Sequence, residues 1–154
     1  MVDSPKGVTT PAQRFAVVSG TMIIFCALFS FIVFELASVG VIKDSAWTLV
    51  QANPTRVGLH FIFGMIWITS CAKFELSRRA NLFIGMIFAL LTFLGLFQLL
   101  GFLGVDGVAN VSNFVDFISA SFALYYGTLG ARNPSVVIAR QVNRLDDPTT
   151  LWWQ

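Results

Sequence analysis

Residues 80–105 read ANLFIGMIFALLTFLGLFQLLGFLGV, with Arg78 and Arg79 before them and Asp106 after them. No residue in that run carries a formal charge. As an α-helix the run is roughly 39 Å long, more than the roughly 30 Å of a bilayer's hydrocarbon core. This stretch decides the fold, because in lipid every backbone polar group must be satisfied inside its own segment and a helix does so. Three similar runs flank it. Residues 15–34 lie between Arg14 and Glu35, and residues 57–72 between Arg56 and Lys73. The last lies between Asp106 and Arg132 and is interrupted only by Asp116. The expected fold is therefore all-α: one membrane domain over residues 1–154, a four-helix transmembrane bundle made of two hairpins. The spans fall at 11–34, 54–73, 78–104 and 113–132.

The composition agrees. Of 154 residues, 56% are hydrophobic and 12% charged, and 16 are phenylalanine. Mean hydropathy is +0.75. An ordinary soluble domain carries about 25% charge. Disorder, a nucleic-acid-binding module and a typical soluble enzyme are excluded on these grounds. The first run exceeds the h-region of a signal peptide (about 7–15 residues), and no A-x-A site follows, so it reads as a mature helix.

Local chemistry marks the helix starts. Thr10-Pro11-Ala12-Gln13 is an N-cap, a first-turn proline and a capping-box glutamine. Asn53-Pro54 repeats the cap-then-proline pattern, Asn133-Pro134 does so after the last span, and Ser77 is placed to cap helix 3. Cys26 and Cys71 fall roughly 14 Å apart in depth, beyond the disulfide reach of about 7 Å between Cα atoms. Two free thiols acting as small core residues are expected.

Four spans put both termini on one side. Lys6, Arg14, Lys73, Arg78, Arg79, Arg132, Arg140 and Arg144 share that side, against Lys43 and Arg56 on the other. The bias predicts cytoplasmic termini. Residues 44–51 in the long outer loop suit a short interfacial helix anchored by Trp47. Residues 134–154 read as an amphipathic tail carrying Ile138, Val142 and Leu145 at helical spacing and ending in the interfacial anchors Trp152 and Trp153.

Close backbone approach drives association in lipid. Ser119, Ala123, Gly127 and Ala131 make a small-residue stripe on helix 4. Ala16 and Gly20 on helix 1, and Gly85 and Ala89 on helix 3, offer partners. The stripe either closes the bundle or docks on another protein. Intramembrane polar groups are few. Glu35, His60, Gln98 and Asp116 all fall in the outer third, so a polar cluster of these four is expected, with His60 and Asp116 near enough to interact. The cluster admits three readings. It is a satisfied network tying the bundle together; or His60 is an axial ligand to a tetrapyrrole, haem iron or chlorophyll magnesium; or His60 and Asp116 pass a proton or small solute. A lone histidine, no metal-ligand set and no phosphate loop leave enzyme activity unsupported, and no metal, nucleic acid or soluble substrate is implied.

The openings of helices 2 and 4 look alike. Asn53, His60 and Gly64 in the first match Asn113, Asp116 and Ala120 in the second. In this the chain resembles a bacterial family of small four-helix integral membrane proteins of unknown function. The family pattern places a histidine in each copy, and here Asp116 stands in the second. The resemblance covers roughly residues 14–131. It implies the four-span fold and a bacterial inner membrane or, since members occur in cyanobacteria, a thylakoid; it implies no activity. The leading expectation is a small accessory subunit or assembly factor packed against a larger membrane protein complex, possible photosynthetic ones included. The alternatives are a pigment- or haem-binding subunit using His60 and a small transporter or channel using Asp116 and His60.

Overall fold

The computed structural model describes residues 9–41, 54–101 and 111–131. It is all-α, with no strand among the described residues. Four helices follow one another: α1 Pro11–Ser38, α2 Pro54–Ser70, α3 Phe74–Leu96 and α4 Val111–Gly127. Of these, α1 and α3 are long and apolar enough to cross a membrane. The outer-loop helix with Trp47 and the tail with Trp152 and Trp153 lie outside the described residues.

The start of α1 follows its sequence signal. The Gln13 N–H donates to Thr10 Oγ1, and the Thr10 N–H donates to Gln13 Oε1 at 3.0 Å. Two orphan donors of the first turn are thereby satisfied. Its end is a left-handed cap: Gly40 has φ +73°, and the Val41 N–H returns to Leu36 O. α3 departs from expectation at both ends. It begins at Phe74 after Lys73, which makes no side-chain cap bond. Ser77 is therefore not the cap. It lies inside the helix, and its hydroxyl donates to Ser70 O across the turn at 3.0 Å. At the other end α3 stops at Leu96, well short of residue 104. Gln98 adopts φ +59°, and the Leu99 N–H returns to Leu94 O. This is the same cap as at α1 with glutamine in the glycine position.

Consecutive helices form two closely packed hairpins, α1–α2 and α3–α4. In the first, glycine faces glycine: a Cβ on Gly20 would sit 2.8 Å from Gly64 O, and one on Gly64 would sit 2.9 Å from Gly20 O. In the second, Gly85 abuts Ala123 and Leu124, and Gly127 abuts Leu82. The hairpins meet around Trp67, Ile84 and Phe88, all fully buried. Edge-on ring contacts order this layer: Phe15 with Trp67 at 5.8 Å, and Phe63 with Phe88 at 5.5 Å. Neither cysteine is disulfide-bonded. Cys26 is exposed rather than in the core, because its side of α1 faces away from the other helices.

Candidate functional site

Arg56 and His60 are four residues apart on α2 and therefore share a face. Asn113 and Asp116 are three apart on α4 and do the same. The two helices start at the same end of the bundle, and these faces converge there. Arg56 Nη2 donates to Asp116 Oδ2 at 2.9 Å, with the two side chains 10% and 3% exposed. The other carboxylate oxygen lies 3.6 Å from His60 Nε2. The imidazole in turn packs on Phe88 of α3, 5.8 Å between ring centres. Asn113 is buried beside them, its carboxamide filling the space that a side chain at Gly95 would need.

Of the four expected polar residues, the structure brings together His60 and Asp116. Glu35 and Gln98 are exposed. Depth along a helix is shared by residues on every face, and Glu35 lies on an outward one. Gln98 lies beyond the end of α3, in the cap. The residue that the sequence reading misplaced is Arg56. A cation at the start of an apolar run reads as a loop flank, yet it is buried and holds the carboxylate. The signal was its i, i+4 relation to His60.

A bidentate-capable guanidinium on a carboxylate neutralises both charges where water is scarce. That accounts for Asp116 inside an apolar helix. Axial ligation of a tetrapyrrole asks for an imidazole nitrogen facing a flat apolar pocket. Here Nε2 faces Asp116, so the geometry lends that reading no support. Among the described residues no three His, Cys, Asp or Glu side chains gather to hold a metal ion.

The small-residue stripe is spent inside the molecule. Ser119 is half-buried, and Ala123, Gly127 and Ala131 are buried. Ala123 and Gly127 receive α3.

A second polar layer, which the sequence reading does not expect, sits at the opposite end. Asn81 is fully buried, and its Nδ2 donates to Ala12 O of α1 at 3.2 Å. Gln13 Nε2 donates to Cys71 O at 2.9 Å, and Arg78 Nε to Gly127 O at 3.3 Å. Here, unlike at the Arg56 end, side chains bond to backbone.

Compared with protein-family models, curated proteins and solved structures, the chain matches none. The resemblance drawn from Asn53, His60 and Gly64 and from Asn113, Asp116 and Ala120 rests on those residues alone.

Proposed function

We propose that the chain is a four-span integral membrane protein with a structural role, an accessory subunit or assembly factor of a larger membrane complex. The observation that carries this reading is that the buried ionisable groups among the described residues meet in one internal tie. Arg56, His60 and Asp116 face one another. The outward faces carry large apolar side chains instead: Phe83, Met86, Leu90 and Phe93 are each more than half exposed. A surface of that kind suits hydrocarbon or a greasy subunit interface. At 17 residues each, α2 and α4 reach the lower limit for a span. Between the two polar layers the bundle is filled by Trp67, Ile84 and Phe88. A solute or proton path needs polar groups through that depth, so transport gains no support. The internal use of the α4 stripe moves any docking surface to the phenylalanine-rich outward faces.

The test is extraction from membranes in a mild detergent, followed by native mass measurement. A stoichiometric complex with a larger membrane protein is expected, dissociating without change in the four-helix fold. A chain that runs alone as a colourless monomer overturns the accessory role. A Soret or chlorophyll band lost in His60→Ala would favour the pigment reading instead.

A further inference from the structure

We infer that the Asn81 end of the bundle is a binding surface for the phosphates of anionic phospholipids, with Arg14, Lys73 and Arg79 as its contacts. The inference rests on the four-span reading above.

Two helix faces lead to it. On α3, Leu76, Arg79, Phe83, Met86, Leu90 and Phe93 alternate three and four residues apart and are all exposed, so they form one outward stripe. Arg79 is its only charge. On α1, Arg14, Val18, Thr21, Phe25, Leu28 and Ile32 form a like stripe, again all exposed and again with one charge. Each arginine thus stands at the end of a face that hydrocarbon would cover. A long side chain in that position lays its methylenes along the apolar surface and carries its guanidinium to the headgroup layer. What lies there is phosphate, which a guanidinium can engage through two parallel N–H donors.

Charge placement sharpens the choice of lipid. The exposed cations among the described residues, Arg14, Lys73, Arg78 and Arg79, all lie at this end. Arg56, at the other, is buried against Asp116. The described carboxylate at this end is Glu75, 3.9 Å from Arg78, which also donates to Gly127 O. Arg78 is therefore partly engaged in the protein, whereas Lys73 and Arg79 have no ion-pair partner among the described residues. Arg14 uses one donor on Thr9 Oγ1. A net positive rim at the membrane surface favours lipids with net negative headgroups over zwitterionic ones.

The experiment follows the thermal midpoint of the detergent-purified full chain with three additions: dioleoyl phosphatidylglycerol, dioleoyl phosphatidylcholine and sodium phosphate. Phosphatidylglycerol should raise the midpoint by about 4 °C more than phosphatidylcholine does. The variant R14Q/K73Q/R79Q should lose at least about half of that increment and keep its midpoint in phosphatidylcholine. Should that variant not fold, added salt must shrink the wild-type increment in the same way. Equal shifts from the two lipids, or an increment untouched by both the substitutions and salt, overturn the inference. A shift reproduced by sodium phosphate overturns the assignment to lipid. These failures differ from that of the underlying reading, which falls if the chain stays folded and monodisperse after detergent is removed.

Discussion

The two ends of the bundle solve the same problem with different chemistry. Each must join helices from different hairpins where the apolar layer thins out. The Arg56 end uses a charged pair, with Arg56 Nη2 at 2.9 Å from Asp116 Oδ2. The Asn81 end uses neutral side chains on backbone oxygens, Asn81 to Ala12 O among them. A charged tie couples its two members strongly: either one alone is a buried, uncompensated charge. A neutral tie to a backbone carbonyl leaves that carbonyl its helical bond when the side chain is removed. The ends should therefore answer single substitutions very differently.

The largest effect is expected at the charged end. Asp116→Ala leaves Arg56 buried without its carboxylate and should destabilise the chain by about 3–5 kcal/mol. The paired change Arg56→Met with Asp116→Leu should recover most of that loss, because apolar groups of similar size replace an ion pair at little net cost. Equilibrium unfolding in a mixed-detergent titration measures all three. If the double variant is as unstable as the single one, the tie does more than neutralise itself, and the structural reading of this end is wrong.

Next in size is a packing change that belongs to neither end. Gly20→Ala drives a Cβ to 2.8 Å from Gly64 O, a backbone atom that cannot step aside. A cost of about 1–3 kcal/mol is expected from overpacking. Gly58, on the same α2 as Gly64, has nothing within 4 Å of a Cβ built on it. Gly58→Ala should be neutral or gain up to about 1 kcal/mol from helix propensity. The same unfolding assay compares them, and similar losses for the two would mean that α1 and α2 are not held by glycine contact.

At the neutral end Asn81→Leu should cost about 1 kcal/mol, the usual net worth of one interhelical hydrogen bond. A loss as large as that of Asp116→Ala would erase the contrast between the ends.

How legible the ends were differs too. The all-α class and its four helices could be read from the sequence because a long apolar run satisfies its backbone most simply as a helix, and the α1 start from Thr10 and Gln13 because a cap is local. The meeting of His60 and Asp116 could be read from matched depth. Which face each residue takes could not, since that depends on how the hairpins dock. Depth alone groups Glu35 with the cluster and leaves Arg56 out of it. Asn81 does not stand out as one polar residue in a long apolar run, although Ser77 one turn earlier marks the same face. The end of α3 is not legible because Gly95 and Gln98 look harmless inside an apolar run, yet they build the cap that ends it.

That cap supplies the smallest effect. Gln98 occupies the left-handed region at φ +59°, a conformation that costs a side-chain-bearing residue about 1 kcal/mol or more relative to glycine. The matching cap of α1 uses Gly40 at φ +73°. Gln98→Gly should therefore stabilise the chain by up to about 1 kcal/mol, read as a raised unfolding midpoint. Because Gln98 is exposed, the substitution removes no buried contact that would offset the gain. A loss of stability would instead restore Gln98 to the polar cluster at the Arg56 end, and with it the idea that this end holds more than one charged pair and a histidine.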